Sequence, residues 1–573
     1  MSHRKTTALG IVIIGGLFAL SAADLIPLRL VSLFGIFGLI WVGWLFSLHR
    51  THINWRTVGW GLVIQLIFAL LVLKTAPGQK TFDYAAQGVK KLVSFADRGG
   101  EFVFGGLYRG MDGNYEGQST DPKAPKKITY VLTEVPGGAT PDASVTSKLI
   151  TQGRPGQPTI TVEPRPMGMV LFLNALMPIV FFSALMSVLY YLGVMNWIVA
   201  FMARGMHKLM GTSGSESLSA SANIFVGQTE APLVVKPFID TMTMSEIHAV
   251  MTGGFATVAG GVLAAYIGFG IDPAHLLAAS VMSAPAALVA AKLFLPETEE
   301  SVTAGEMKIE LEKTSVNVID AACQGAADGM KLVLNVAAML IAFIALIAMI
   351  DWILGACDRL VCLDLLDRQP IGLDLSWIFG KLFFPIAALI GIPWNECQDF
   401  GSLMGKRMAL NEFLAYADLQ SADYAHISDR TRVLATYAFC GFANFGSIAI
   451  QIGGIGAIAE GRKKDLAKLG LRAMFAGTLA SLFTASLVGA LLSQSQIQQK
   501  ATTGPAKTGQ IEQTHPAPQP TTMLDWNGSA SHPEVGKTPP AHPGIRSSSM
   551  GVNPTRASLS NDGLDGHYVL ELQ

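Results

Sequence analysis

The sequence predicts an all-α polytopic membrane protein: about nine transmembrane helices plus two re-entrant hairpins in inverted repeats, with a small polar insertion on the outer face. Three observations carry that prediction. Half of the 573 residues are apolar and only 14 % are Asp, Glu, Lys or Arg, where a soluble globular chain carries about 25 %. Apolar runs long enough to cross the ~30 Å hydrocarbon core recur along the chain. Between them lie two polar stretches with the length of a span but not its composition. Forty-one basic and 42 acidic residues leave a formal charge of −1, so the basic face that a nucleic-acid binder needs is not expected. The five cysteines, at 323, 357, 362, 397 and 440, are spaced for neither a disulfide scaffold nor a zinc site.

In chain order, the spans lie near 7–23, 29–48, 57–74, 168–201, 245–269, 274–295, 328–354, 431–458 and 470–493. The first has the basic start and apolar run of a secretory signal. Another helix follows at once, and no small-residue cleavage site ends the run, so it reads as a retained span. Residues 1–75 are then N-terminal transmembrane helices and 76–111 an amphipathic interfacial segment. The polar extracytoplasmic insertion, 112–167, contains two alternating runs, Ile128 to Val135 and Thr159 to Val162, that resemble short strands. A scaffold helix and a first hairpin repeat occupy 168–355, and a second hairpin repeat 356–493. Residues 494–573, rich in Gln, Ser, Thr, Pro and Gly, are expected to be disordered because they cannot bury enough apolar surface to offset ordering entropy.

Short loops rich in Lys and Arg stay on the cytoplasmic side. Arg4 and Lys5, the segment from His49 to Arg56 and the segment from Glu460 to Arg472 fall on one side if the spans alternate. Arg204 and Lys208 agree, and the acidic loop from Pro296 to Glu312 carries little weight. The N-terminus is therefore cytoplasmic, and nine crossings put the C-terminus outside.

The informative stretches are Gly214 to Asp240 and Glu396 to Leu419. Polar or irregular backbone at membrane depth is tolerated only where it is buried in protein or lines a water-filled cavity, so both read as re-entrant hairpins. Each carries a glutamate, Glu230 or Glu412, and a glycine-broken span follows each at the same distance. From Glu230 to Val262 is 32 residues, as is Glu412 to Asn444. Repeats with discontinuous helices and a midplane site are the architecture of secondary transporters.

An acid at the centre of a span costs ~2.5–3.5 kcal/mol on insertion scales and is functional by default. The bland alternative for Glu230 and Glu412 is a surface glutamate in a loop. For Gln228, Thr229, Asn411 and Asn444 it is interhelical hydrogen bonding, and for Gly253, Gly254, Gly260 and Gly261 close helix packing rather than hinging. Lys406 and Arg407 could snorkel from a hairpin end rather than meet a solute.

The motifs GQTEAPL (227–233), NEFLAY (411–416) and CGFANFGSIAIQIGG (440–454), supported by PIVFFSALMSVLYYLGVM (178–195) and TGGFATVAGGVLAAYIGFG (252–270), resemble the concentrative nucleoside transporters. The resemblance covers about residues 55–107 and 168–493, and departs at the 112–167 insertion and the long tail. It implies a homotrimer in the inner (plasma) membrane, contacting lipid and no nucleic acid, that imports nucleosides by cation symport through alternating access. Carried over by position, Gln228, Thr229, Glu230 and Val262 would meet the nucleobase. Glu412, Asn444 and Ser447 would hold the ribose, with Phe442 packed nearby. The expected coupling ion is sodium. The resemblance places it on the Asn223 side chain, the Val226 carbonyl, the Thr257 hydroxyl and the Val258 carbonyl, with Thr257 standing where the best-known member of that family carries Ser.

Three other readings stay open at this level. A proton-coupled relative would need a titrating group and could dispense with Asn223. A passive permease or channel for another small polar solute would lack uphill uptake. An intramembrane enzyme using Glu230 and Glu412 as an acid/base pair would return altered substrate.

Overall fold

The computed structural model describes Gly15, Gly16, residues 26–104, Tyr108, residues 172–304, 315–365 and 369–492, and six short strands within 111–166 and 558–571. The expected span at 7–23 lies otherwise outside the described residues, as do most of the 112–167 insertion and of the 494–573 tail.

The chain divides into two units, one of residues 1–112 and 166–497, the other of 113–165 and 498–573. The second unit holds a six-stranded sheet. Its strands are β1 (Met111–Ser119), β2 (Ile128–Val131), β3 (Leu149–Thr151), β4 (Ile160–Pro166), β5 (Ser558–Ser560) and β6 (Tyr568–Glu571), in the order β3-β4-β1-β2-β6-β5. The two alternating runs of the insertion thus become β2 and β4. Two short strands fall in the tail: Tyr568 and Val569 pair in parallel with Tyr130 and Val131, and β5 pairs with β6.

The first unit is helical. Its N-terminal part comprises α1 (Leu28–Leu45), α2 (Trp55–Lys74), the amphipathic α3 (Ala76–Phe104) and α4 (Pro178–Tyr191). A first series follows: α5 (Val194–Met210), α6 (Gly214–Asn223), a 3₁₀ segment (Ala231–Thr241), α7 (Met244–Ala256), α8 (Gly260–Gly268) and α9 (Pro273–Phe294). After α10 (Val318–Arg359), a second series repeats that order: α11 (Leu375–Leu389), α12 (Cys397–Ala409), α13 (Glu412–Leu419), α14 (Asp429–Phe439), α15 (Phe445–Ile458) and α16 (Lys463–Leu491). Each series is a helix, a helical hairpin, a broken helix and a long helix. Among the described residues, seven helices or helix pairs are long and apolar enough to cross a membrane.

Four expected spans change. The run at 168–201 is cut after Tyr191, because Gly193 takes a left-handed conformation (φ 78°) and turns the chain into α5. The runs at 245–269 and 431–458 are each two helices, separated by Thr257–Ala259 and by Cys440–Asn444. The 328–354 run extends to Val318–Arg359, its start capped by Asn317, whose side chain accepts from the Asp320 N–H. An additional helix, α11, lies inside the second repeat.

α9 and α16 are buried nearly all round and form the core with α7, as expected of helices apolar on every side. α10 is the opposite, with Ile341 and Trp352 at 74 % and 70 % exposure. The basic clusters meet at one end of this unit. Arg56 donates to the carbonyls of Lys208 and Leu209, Arg472 to that of Phe46 and Arg462 to that of Asp240. Just inside, buried Lys292 pairs with Glu216 and donates to Ser245 at 2.7 Å and Glu297 at 3.3 Å. Glu216 and Glu246 also close the capping boxes that start α6 and α7. This knot ties the base of the first hairpin to α7 and α9, and a buried ion pair of this kind costs ~3–5 kcal/mol when one partner is removed.

Candidate functional site

The two hairpin tips and the two helix breaks converge on one cavity of about 420 Å³, within the size range of small-molecule sites. The first hairpin reaches it through a serine-rich helix, α6, started by Ser213 and ended at Asn223. Beyond Asn223 the chain unwinds through Ile224–Glu230, and Pro232 opens the returning 3₁₀ segment. In the second hairpin the turn is tighter. α12 ends at Ala409, and Asn411 starts α13 by accepting from the Leu414 N–H at 3.0 Å.

The breaks have a sequence cause as well. α7 stops at Thr257, whose backbone is extended (φ −113°, ψ 164°), and α8 resumes at Gly260. α14 stops at Cys440. There Gly441 takes φ +120°, and a Cβ on it would lie 2.6 Å from the Phe255 carbonyl oxygen and 2.7 Å from that of Ala256. The two breaks therefore cross in backbone contact, which only glycine permits. Asn444 then starts α15, its side-chain oxygen accepting from the Ser447 N–H at 2.8 Å.

All eight residues expected to meet substrate border this cavity: Gln228, Thr229, Glu230, Val262, Glu412, Phe442, Asn444 and Ser447. They form two hydrogen-bonded groups. Gln228 donates to Ser447 Oγ at 3.1 Å and accepts from Gln451 at 3.0 Å, and Gln451 also donates to the Met251 carbonyl at 3.1 Å. The buried Glu412 carboxylate accepts from the Tyr266 hydroxyl at 2.8 Å and from Asn444 Nδ2 at 3.3 Å. One asparagine thus caps a helix with its oxygen and orients the carboxylate with its nitrogen. The two glutamates differ: Glu412 is fully enclosed, whereas Glu230 is exposed to the cavity.

Sequence reasoning assigned no role to Tyr266, Gln451 or the opposite wall. Tyr266 ends the GGVLAAY stretch. Gln451 stands four residues after Ser447, one turn along the same face, and that periodicity was a usable signal. Ser183, Ser187, Tyr190 and Asn196 from α4 and α5, with Asp328 from α10, complete the lining. Ser183, Ser187 and Tyr190 fall within the 178–195 motif at helical spacing, whereas Asn196 and Asp328 lie outside every quoted motif. Gly253 and Gly254 are packing positions: a Cβ on either would press against Asn223 Nδ2 or Gln228 Cβ, at 3.0 and 2.8 Å. Lys406, in the last turn of α12, pairs with Asp418 at 2.7 Å, while Arg407 is fully buried and neither snorkels nor borders the cavity.

Of the expected sodium ligands, Val226 borders the cavity, and Asn223, Thr257 and Val258 are buried behind it. The tip and the break are joined there by the Gly260 N–H donating to the Phe225 carbonyl at 3.0 Å. Asn223 Nδ2 is held by the Ser219 carbonyl at 3.0 Å, but its Oδ1 is buried without a hydrogen-bond partner. A buried acceptor is normally satisfied. An orphaned amide oxygen, a hydroxyl and backbone carbonyls of unwound chain are the kinds of oxygen donor a hard cation takes.

The fold and cavity define a polytopic helical protein whose cavity is lined by neutral polar groups and three carboxylates, Glu230, Glu412 and Asp328. Family models then specify it. Residues 34–107 match "Na+ dependent nucleoside transporter N-terminus", 275–489 the corresponding C-terminus and 172–272 "Gate: Nucleoside recognition". An uncharacterized transporter, YutK of Bacillus subtilis, is 39 % identical over 80 % of this chain and 98 % of its own. Human sodium/nucleoside cotransporter 1 is 37 % identical over 81 % of this chain, which spans 64 % of that longer protein. Among solved structures, CNTnw in an inward-facing substrate-bound state is 38 % identical, with a TM-score of 0.66 over 81 % of this chain and 99 % of its own. A CNTnw variant in an outward-facing state matches with a TM-score of 0.66 at 37 % identity over 81 % and 98 %. The chain belongs to the Na+-dependent nucleoside transporter family.

Proposed function

We propose that this protein imports nucleosides by symport with sodium through alternating access. The observation that carries the reading is the convergence of both hairpin tips and both helix breaks on one cavity through two ordered polar groups. Gln228, held by Gln451, presents an amide that can donate and accept along the edge of a nucleobase, assisted by Thr229 and Glu230, with Val262 as its apolar contact. Glu412, Asn444 and Ser447 suit the vicinal hydroxyls of ribose, and Phe442 packs beside them. Sodium binds at Asn223, Val226, Thr257 and Val258, directly behind the tip. Ion binding there stiffens the unwound segment that carries Gln228, which couples the two occupancies.

The hairpins are read as re-entrant, with the basic clusters at 49–56 and 460–472 cytoplasmic and hence the N-terminus inside and the C-terminus outside. The meeting of Arg56, Arg462 and Arg472 at one end of the helical unit supports that orientation. The exposed apolar face of α10 favours burial against lipid and partner copies, in keeping with a homotrimer. The membrane in question is the inner (plasma) membrane.

Uptake of labelled uridine and adenosine into proteoliposomes, with sodium and proton gradients imposed separately, tests the whole reading. Accumulation driven by sodium alone is expected. Accumulation that follows protons and ignores sodium, or equilibration without accumulation, would overturn it.

Two further outcomes follow from the geometry. Gly441→Ala brings a Cβ against the Phe255 and Ala256 carbonyls in a conformation L-residues rarely adopt. Uridine uptake should fall at least about ten-fold, a local strain of ~1–3 kcal/mol being enough, and initial rates at matched surface expression check it. Deleting 494–573 removes β5 and β6 from a unit that supplies none of the named site residues. Uptake per inserted molecule should stay at the full-length level, as measured by transport normalised to protein.

A further inference from the structure

Arg407, in the first helix of the second hairpin, is fully buried. Its Nη2 donates to the Gly441 carbonyl at 3.3 Å and to Ser481 Oγ at 3.2 Å, while Nε and Nη1 have no hydrogen-bond partner. A cation buried with donors unmet is costly, and this one touches neither the cavity nor the protein surface.

The internal repeat accounts for its position. Glu230 and Glu412 are 182 residues apart, as are Val262 and Asn444. Under that offset Phe225 matches Arg407, and the peptide between Ala259 and Gly260 matches the one between Gly441 and Phe442. In the first repeat that peptide's N–H donates to the Phe225 carbonyl at 3.0 Å. In the second its carbonyl accepts from the Arg407 side chain. The same junction between hairpin and broken helix is closed once by main chain and once by a guanidinium.

The offset carries the four sodium ligands onto Gly405, Met408, Phe439 and Cys440. None of these has a side-chain oxygen. Phe379 fills the space beside Gly405, and Met408 still lies within α12, whereas Val226 lies in an unwound tip. The Cys440 carbonyl is already taken by Ser481 Oγ at 2.8 Å, the same hydroxyl that receives Arg407. Carbonyls freed at a helix end carry partial negative charge; here a fixed positive group meets them.

We propose that Arg407 is a tethered cation standing in the second repeat where the first repeat takes sodium. The second break is then permanently capped, and each cycle carries one sodium per nucleoside. Arg407 acts as a positioning residue, holding the break from which Phe442 and Asn444 reach the cavity. The count of sodium rests on the symport reading above; the capping does not.

Equilibrium binding of radiolabelled sodium to the purified full chain counts the sites. One sodium per chain with a Hill coefficient of one is expected in the wild type and in Arg407→Lys. Two sodium ions per chain, or a Hill coefficient near two, overturns the proposal. Arg407→Gln should weaken uridine binding about ten-fold or more while Arg407→Lys stays within about three-fold, read by titration of purified protein. Equal affinities in the two variants also overturn it. If Arg407→Gln does not fold, the sodium count and the lysine variant still decide. If the wild type binds neither sodium nor uridine, the symport reading fails, and ligand-free melting judges the capping: a lysine variant no more stable than the glutamine variant defeats it.

Discussion

Glu412→Gln should lower nucleoside affinity by about ten- to a hundred-fold while the protein inserts and folds normally. The carboxylate accepts two hydrogen bonds within the protein, from Tyr266 and Asn444, and keeps further lone pairs for a substrate hydroxyl. A glutamine at this place has one acceptor oxygen and one donor group. It can satisfy Tyr266, but its NH₂ then confronts the Asn444 NH₂ at the position where the second oxygen accepted. A hydrogen bond to a charged partner is worth ~1.5–3 kcal/mol, and each 1.4 kcal/mol is about ten-fold in affinity. The loss should appear in uridine affinity, and for substrates lacking a ribose hydroxyl it should be smaller. Substrate-protected melting in detergent reports affinity, and melting without substrate reports folding. Wild-type uridine affinity in a folded variant removes Glu412 from the ribose site.

That prediction could be framed from sequence because the acid stands in a hairpin whose composition forbids lipid exposure. The same logic made most of the site legible. Polar residues at membrane depth announce themselves by cost, and two tips with equal spacing to glycine-broken spans imply a shared centre. All eight expected substrate contacts do border one cavity. What stayed hidden lacked such a cost signal. Tyr266 is a half-apolar residue in an apolar span, so nothing in composition separates it from core packing, yet its hydroxyl fixes the key carboxylate. Ser183, Ser187 and Tyr190 make a polar stripe at helical spacing within the 178–195 motif, but only the folded arrangement turns that face toward the hairpins.

The helix boundaries show the same limit. The break at Cys440–Asn444 needs a glycine at φ +120° pressed onto another broken helix, and one-dimensional hydrophobicity is blind to that contact. α11 was missed for a different reason. Its 15 residues fall short of the ~18 expected of a crossing helix, and Pro385 interrupts the run. Its equivalent in the first repeat, α5, was absorbed into the preceding span because only Gly193 separates the two. Recognising that both repeats open with such a helix requires the element order of the fold. That order also exposes Arg407, which in sequence looks like a second basic residue beside Lys406 and in the structure has a different neighbourhood altogether.

Asn223→Ala should remove sodium dependence more completely than any other single change at the ion site. Asn223 Oδ1 is buried without a hydrogen-bond partner, while its Nδ2 is anchored by the Ser219 carbonyl, which fixes the direction in which the oxygen points. Thr257, by contrast, already donates its hydroxyl proton to the Gly253 carbonyl at 2.8 Å. Its oxygen lone pairs remain for a cation, and Thr257→Ser preserves them. The alanine variant loses the one side-chain amide among the four ligands, so apparent sodium affinity should fall by about ten-fold or more, an acceptor to a charged group being worth ~1.5–3 kcal/mol. Thr257→Ser should remain within about three-fold of wild type by the same scale. The removal of an unsatisfied buried acceptor should leave folding intact or improved when sodium is absent, because the orphaned oxygen is itself costly. That sign is useful: a residue serving only as helix glue would lose stability with or without sodium. Melting curves with and without sodium, set beside sodium-dependent uridine uptake at fixed pH, separate the two roles. A variant that melts lower in both conditions but keeps wild-type sodium dependence assigns Asn223 to packing and moves the ion elsewhere.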